Sequence, residues 1–267
     1  MQNKVVVITG ASSGIGKALA REYASKGFNL VLAARRIELL TEIENELKNV
    51  EVLSVKTDVT VESECLNLID LTIKKFGKIN ILINNAGISM RAATIDVDMN
   101  VLRKVMDVNY WGTVYCTKFA LPYLLESKGS LVGVISVGGY VGLPARSGYS
   151  ASKFAMRGFL DSVRVEHRRS GLHVLVAAPG FTASDIRKSA LVADGSQQGA
   201  TPRDENKMMS AEWCAYRICL AVKRRQRKLI LTFLEGKATV LVAKLWADLI
   251  DGFIYRTFAK EPDSPLK

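Results

Sequence analysis

The chain is poor in the residues that build disulfides and metal sites. Its 267 residues hold four cysteines and two histidines. Cys65, Cys116, Cys214 and Cys219 are scattered, with no CxxC pair and no disulfide-like density. Cys65, Cys116 and Cys219 fall in apolar or amphipathic stretches, which reads as buried free thiols in a reducing cytoplasm. His167 and His173 stand far from any acidic or cysteine cluster, so no metal ion is expected. No stretch reaches the ~18 uncharged apolar residues that span a bilayer. Met1 to Lys4 run directly into an apolar strand, with neither the apolar core nor the cleavage site of a signal peptide. Zinc-finger spacing, RNA-binding aromatic motifs and a basic low-complexity tail are also missing, so the net charge of +11 does not read as a nucleic-acid surface. A basic face towards an anionic cofactor, an anionic substrate or a lipid surface remains.

What is present is an alternation of apolar runs and amphipathic periods, with no internal repeat and no linker that divides it. Val5 to Thr9 is a continuous β-branched run, as expected of a strand buried on both faces of a parallel sheet. Leu30 to Ala33, Val52 to Val55, Ile79 to Ile83, Leu131 to Ile135, Val174 to Ala177 and Leu229 to Phe233 continue the series. Between them lie helical periods such as Ile37, Leu40, Ile43 and Leu47, and two long stretches, about Asn100 to Glu126 and Tyr149 to Ser170. The pattern predicts one doubly wound α/β domain with a parallel sheet of about seven strands, over residues 1–236. Thr182 to Ser210, polar and carrying Gly195, Gly199 and Pro202, is too long for an ordinary connection. It reads as a lid, with a disordered connection as the alternative, because ligands of open α/β sheets bind beyond strand C-termini.

Thr9-Gly10-Ala11-Ser12-Ser13-Gly14-Ile15-Gly16 lies between the first strand and the first helix. Gly10 suits a tight turn, Gly14 a close backbone approach to a pyrophosphate, and Gly16 close packing of helix on strand. The amides and the positive end of the helix would then face phosphates. In the second strand, Ala33-Ala34 is followed by Arg35-Arg36 where an acidic residue would bond the ribose of NAD. Two guanidinium groups suit a 2′-phosphate instead, which favours NADP(H) over NAD(H).

The spacing Gly-x3-Gly-x-Gly, together with Asn84-Asn85-Ala86-Gly87, Asn109, Ser136, Tyr149-x3-Lys153 and Pro179-Gly180 in order, resembles the short-chain dehydrogenase/reductase family over roughly residues 4–185. Phrases such as Asn84 to Ser89, Val108 to Gly112 and Ala193 to Ser196 are similar to its hydroxysteroid dehydrogenase-like and 3-ketosphinganine reductase-like branch. The resemblance implies that Tyr149 exchanges a proton with the substrate, Lys153 supports it and bonds the nicotinamide ribose, Ser136 holds the substrate oxygen, and Asn109 helps hold a relay water. Asp58 and Val59 would contact adenine, Asn85, Ala86 and Gly87 would line the adenosine ribose side, and Pro179, Gly180, Thr182 and Ser184 would shape the nicotinamide pocket. Tyr149 and Lys153 share one helix face, and a neighbouring ammonium together with the positive charge of the oxidised nicotinamide is expected to favour the phenolate and bring its pKa closer to neutral pH.

The expected activity is NADPH-dependent reduction of a hydrophobic ketone, steroid-like or a 3-keto lipid, or the reverse alcohol oxidation. Leu143, Pro144, Phe181, Ile186 and Leu191 would offer an apolar wall. A 3-oxoacyl thioester is the alternative substrate, and a catalytically silent dinucleotide-binding scaffold the alternative function. Residues 237–267 form a helical extension. There Val240, Leu241, Leu245, Trp246, Leu249, Ile250 and Phe253 make an apolar stripe beyond the basic cluster Lys223, Arg224, Arg225, Arg227 and Lys228. The stripe would pack on its own domain, on a second subunit, or peripherally on a membrane. The resemblance implies a homodimer or homotetramer joined through the helices of Asn109 and Tyr149.

Overall fold

The computed structural model describes residues 4–201, 204, 205 and 208–266. Met1 and Pro202 lie outside the described residues, as does the side chain of Leu249. Strands and helices alternate as β1 (Val5–Thr9), α1 (Gly14–Ala24), β2 (Asn29–Ala34), α2 (Ile37–Glu46), β3 (Val52–Lys56), α3 (Glu62–Phe76), β4 (Ile81–Asn84), α4 (Met99–Met106), α5 (Gly112–Glu126), β5 (Ser130–Val134), α6 (Ser147–Glu166), β6 (His173–Ala178), α7 (Ala211–Lys223), β7 (Lys228–Ile230), α8 (Thr239–Leu245) and α9 (Ala247–Ala259). The seven strands form one parallel sheet in the order β3-β2-β1-β4-β5-β6-β7.

Burial on both faces explains why β1 has no polar alternation. Val6 and Ile8 join a core with α1, α2 and α7, while Val5 and Val7 join the opposite core with α3, α5 and α6. All four side chains are fully buried, and each contributes roughly 1.5–3 kcal/mol of hydrophobic stabilisation. The strand order reverses direction between β1 and β4, so a crevice opens beyond their C-terminal ends, which is where ligands bind in such sheets.

Most strand ends shift by one or two residues from the sequence expectation, and three elements differ further. The long helix after β4 is not uniform: a π-helical turn, Asp107–Trp111, separates α4 from α5. The helix of Tyr149 starts at Ser147 and ends at Glu166, short of Ser170. The last strand stops at Ile230, because Thr232 takes a left-handed φ of 65° and turns the chain into a second π turn, Phe233–Ala238.

The described part of the connection between β6 and α7 is tied down. Leu191 N donates to Ser89 O at 3.0 Å, Arg91 N donates to Leu191 O at 2.8 Å, and Ala183 N donates to Met209 O at 2.9 Å. The apolar stripe expected near the end is divided, since Trp246 (φ −144°, ψ 70°) breaks it into α8 and α9. Ile250, Ile254 and Phe258 pack inward with Val141, whereas Leu241, Leu245, Trp246, Phe253 and Tyr255 are each more than half exposed. No helix among the described residues is long and apolar enough to cross a membrane. The four cysteines are buried free thiols.

Candidate active site

The crevice is built first at the end of β1. Gly10 turns the chain with φ 66°, and a Cβ on Gly16 would stand 2.1 Å from the carbonyl oxygen of Gly10, so only glycine lets α1 start this close to the turn. The end of β4 braces the same turn. Asn85 Nδ2 donates to the carbonyls of Thr9 (3.0 Å) and Gly10 (3.1 Å), while the amides of Asn85 and Ala86 donate to Thr9 Oγ1, each at 3.1 Å.

The chemistry of this turn fits an anion. Ser13 stands at the N-cap of α1 yet its hydroxyl makes no cap hydrogen bond, and no acidic residue occupies the first helical turn. The helix therefore presents its amides and positive dipole end without an internal anion. Arg36 Nη2 donates to Ser12 Oγ (3.0 Å) and Ser13 Oγ (3.3 Å), holding a guanidinium beside the turn. Arg35 and Arg36 are both exposed. Gly14 and Ser184 adjoin across the crevice: a Cβ on Gly14 would lie 3.0 Å from Ser184 Cβ. Ser184 Oγ in turn donates to Thr182 O at 3.3 Å, and Thr182 Oγ1 to Gly180 O at 3.2 Å. The Pro179 carbonyl accepts from Val137 N at 3.1 Å.

Two expected cofactor contacts have structural work of their own. Asp58 Oδ1 accepts from Thr60 N (3.0 Å) and Thr60 Oγ1 (2.8 Å), forming a local turn. Val59 is buried under Gly112, where any Cβ would come within 2.7 Å of its Cγ2.

Ser136, Tyr149 and Lys153 meet along a cavity of about 240 Å³, together with Ile15, Asn85, Gly87, Pro179, Gly180, Thr182 and Ser184. Ser136 stands two residues beyond β5 and caps the short turn Val137–Gly139, its Oγ accepting from Gly138 N at 3.1 Å. Its hydroxyl also acts on the Tyr149 phenol, pulling the pKa of that group down. Lys153 is 3% exposed, and its Nζ donates to Val134 O at 3.1 Å and lies 5.8 Å from the Tyr149 ring centroid. Desolvation pulls the Lys153 pKa down to about 7.

The expected acidified phenol is not what the environment favours. Burial pushes the Tyr149 pKa above its ordinary value, against a smaller pull downwards from the Ser136 hydroxyl and from the charges of Arg146 and Arg187. A lysine near neutrality supplies only part of a charge, and its ammonium is turned towards a strand carbonyl. At neutral pH the phenol therefore carries its proton.

Asn109 sits in the π turn and is fully buried. Its Oδ1 accepts from Ile88 N (2.8 Å), and its Nδ2 donates to Ile88 O (3.0 Å) and Ser152 Oγ (2.8 Å). Gly87 lies between it and the lysine: a Cβ there would stand 3.0 Å from Asn109 Oδ1 and 3.3 Å from Lys153 Nζ. The extra residue of the π turn thus aims the amide across the helix bundle at the loop after β4, a use common for such turns.

Leu143, Phe181 and Ile186 line the cavity as expected, whereas Pro144 and Leu191 do not; Leu191 packs with Met90 and Val101. Sequence reading missed Arg146, Arg187 and the outer wall, where Thr239, Phe253, Ile254, Thr257 and Phe258 come from α8 and α9. Arg146 had a signal, standing one helical turn before Tyr149; the wall had none beyond its apolar period.

Comparison with known proteins agrees with this geometry. The family model described as short chain dehydrogenase matches residues 4–194. Dehydrogenase/reductase SDR family member 7B of Rattus norvegicus is 37% identical over 245 residues, 87% of this chain and 74% of its own length. 11-beta-hydroxysteroid dehydrogenase A of Sesamum indicum is 40% identical over 198 residues, 73% of this chain and 57% of its own. A short chain dehydrogenase/reductase from Burkholderia phymatum, solved with NAD, superposes with a TM-score of 0.82 at 26% identity, covering 93% of this chain and 95% of its own. An alcohol dehydrogenase from Thermococcus sibiricus, solved with 5-hydroxy-NADP, gives 0.76 at 25% identity, covering 85% and 95%.

Proposed function

Because the chain belongs to the short chain dehydrogenase family, we propose that it is an NADP(H)-dependent carbonyl reductase, with the reverse alcohol oxidation, acting on a hydrophobic ketone. The observation that carries this reading is the meeting of Ser136, Tyr149 and Lys153 at one apolar cavity beyond the switch point of the sheet. A nicotinamide dinucleotide, when bound, supplies or accepts the hydride. Gly10 to Gly16 would hold its phosphates, and Thr182 and Ser184 its nicotinamide end.

The chain's own residues handle the oxygen and the proton. Ser136 Oγ and the Tyr149 hydroxyl give two donors to one carbonyl oxygen, where negative charge develops as the carbon is reduced. A phenol that keeps its proton at neutral pH is suited to donate it, which supports reduction. Lys153, with a pKa of about 7, both carries and releases a proton near neutrality and so can restore the phenol. Relatives named as hydroxysteroid dehydrogenases and the wall of Phe181, Ile254 and Phe258 support a steroid-like or 3-keto lipid substrate.

The test is oxidation of NADPH by the purified protein with a panel of hydrophobic ketones. Binding of NADPH with no ketone reduced would leave a silent scaffold. Preference for NADPH rests on Arg35 and Arg36. Replacing both with Ala is expected to raise KM for NADPH about a hundredfold, as loss of charge-assisted hydrogen bonds implies, while KM for NADH stays within about twofold. Equal loss with both cofactors would assign the pair to folding.

Two partners belong to the same proposal. Trp111, Phe154 and Val165 leave apolar surface exposed on the helices that carry Asn109 and Tyr149, which suits subunit pairing there. The outward face of α8 and α9 suits a lipid surface. Leu241, Leu245 and Trp246 are exposed there, and Lys244, whose charge is felt at Lys228, stands in the same helix. Replacing Leu241, Leu245 and Trp246 with Ser is expected to abolish flotation with vesicles containing anionic lipid. Flotation unchanged by these substitutions excludes this face.

A further inference from the structure

The amine of Lys153 has two acceptors, and one of them has no part in the chemistry described so far. Tyr149, Ser152, Lys153 and Met156 stand at i, i+3, i+4 and i+7 on α6 and so share one face. Ser152 and Met156 are fully buried, and Lys153 is nearly so. Close packing lays this face on the end of β5: a Cβ on Gly133 would stand 2.2 Å from Leu160 Cδ1, one turn beyond Met156. Lys153 Nζ then donates to Val134 O at 3.1 Å on the strand side, and to Met156 Sδ at 3.4 Å along the helix.

A thioether is soft and a weak acceptor, so it replaces little of the water that an ammonium gives up on burial. That burial is what lowers the proton affinity of Lys153. The ionisable groups around it do not offset the loss. Arg146 and Arg187 line the cavity, and their charges are felt at Tyr149, the phenol on the same helix face. Arg157, next after Met156, donates to Gly139 O at 2.9 Å. The Cys116 thiol, in the same core as Met156, is pushed up by Cys65 and by burial and stays neutral. Asn109, across Gly87, is an amide, and no carboxylate lines the cavity among the described residues. The acceptor that residue 156 offers therefore weighs directly on how firmly the amine holds its proton.

We propose that Met156 is a positioning residue acting through Lys153: its sulfur orients the amine yet holds it loosely, so that the amine gives up its proton instead of keeping it. The proposal deepens the carbonyl-reductase reading and, for turnover, rests on it. In each reduction the phenol gives its proton to the substrate oxygen, the ammonium replaces the proton lost, and the amine regains one from water. The protonated amine is the form that serves, so turnover of a ketone falls as pH rises through the Lys153 titration.

Met156→Leu nearly keeps the volume and removes the acceptor, whereas Met156→Gln keeps the length and offers a stronger one. Titration of Lys153 is followed in the cofactor-free protein by NMR of isotope-labelled lysine, its signal identified by its loss in Lys153→Met. Met156→Leu is expected to move the midpoint down by about one pH unit, and Met156→Gln to move it up by about as much. The alkaline limb of kcat for a ten-carbon methyl ketone with NADPH is expected to move in the same directions, with KM for NADPH within about twofold. If Met156→Gln does not fold, the downward shift in Met156→Leu decides alone. A lower melting temperature with an unmoved midpoint in Met156→Leu gives the residue a packing role only and overturns the proposal. So does a midpoint that moves while the alkaline limb stays in place. Should the midpoint move while the wild-type protein reduces no ketone, the reductase reading falls and the hold of Met156 on Lys153 stands. Should the ketone be reduced with midpoint and limb both unmoved in Met156→Leu, the reductase reading stands and the role of Met156 falls.

Discussion

Tyr149→Phe is expected to lower turnover of NADPH with a hydrophobic ketone by about a thousandfold, while the affinity for NADPH changes by less than about threefold. The substitution removes one oxygen and leaves a ring of nearly the same shape, so the packing of α6 against the turn at Val137–Gly139 is kept. What disappears is the proton donor beside Ser136. Proton transfer from a positioned group accounts for roughly a hundred- to ten-thousandfold in rate, and the buried phenol has no substitute within the triad: Lys153 is directed at Val134 O, and Ser136 is a far weaker acid. Measured turnover within about tenfold of wild type would falsify the assignment of the proton to this residue.

Lys153→Met is expected to make the cofactor-free protein melt higher than wild type near neutral pH, with the two curves converging as the solution becomes alkaline. The lysine's pKa falls from an ordinary 10.5 to about 7 in the folded chain. A depressed lysine pKa means that the unfolded chain binds more protons between these values, so stability rises with pH across that window and the full penalty applies below it. At ~1.4 kcal/mol per decade the total is on the order of 5 kcal/mol as an upper bound, of which about 3 kcal/mol lies between about pH 7 and 9.5. Keeping to that window separates Lys153 from two other groups. His173, pulled down by desolvation, acts below its ordinary range, and Tyr149, pushed up by burial, acts above. Methionine fills a similar volume without charge. The same variant is expected to lose turnover, so the residue trades stability for chemistry. Cys214 and Cys219, whose thiols burial pushes up, and Cys116, pushed up by Cys65 and by burial, act in the opposite sense as the solution becomes alkaline but shift both proteins alike. A gap between the wild-type and Lys153→Met curves that stays constant between about pH 7 and 9.5 therefore removes the buried neutral lysine.

The fold and the placing of Ser136, Tyr149, Lys153 and the glycine turn were legible because each rests on a local signal. Val5 to Thr9 has no polar alternation, and Gly10, Gly14 and Gly16 stand where a strand meets a helix. What escaped the sequence depends on the third dimension. The helix breakers in the run from Asn100 to Glu126, Gly112 and Pro122, both lie beyond Asp107–Trp111, so nothing within those five residues marks the π turn at Asn109. The upward push on the Tyr149 pKa in the chain by itself escaped because burial, which opposes the phenolate, cannot be read from an i, i+4 pair. The division of the final apolar stripe between pocket and surface is set by Trp246, whose broken backbone no propensity announces. Arg91 Nε lies 3.6 Å from Glu261 Oε2 although the two residues are 170 apart in numbering, so their meeting is a product of the tertiary fold alone.

The strand order has a kinetic consequence. β1 pairs with β4 through Val6 and Ile81, Val7 and Leu82, and Ile8 and Ile83, and Val5 N donates to Asn80 Oδ1 at 2.9 Å. These partners are 75 positions apart, so the chain must search a long excursion before the seam zips. Distant pairings of this kind form slowly, since the entropy of closing the excursion is surrendered before any contact rewards it. The β1–β2 and β2–β3 pairs close shorter loops and can form as an early nucleus. Refolding should therefore regain helical signal before it regains affinity for a dinucleotide, because the crevice exists only once the late seam has closed.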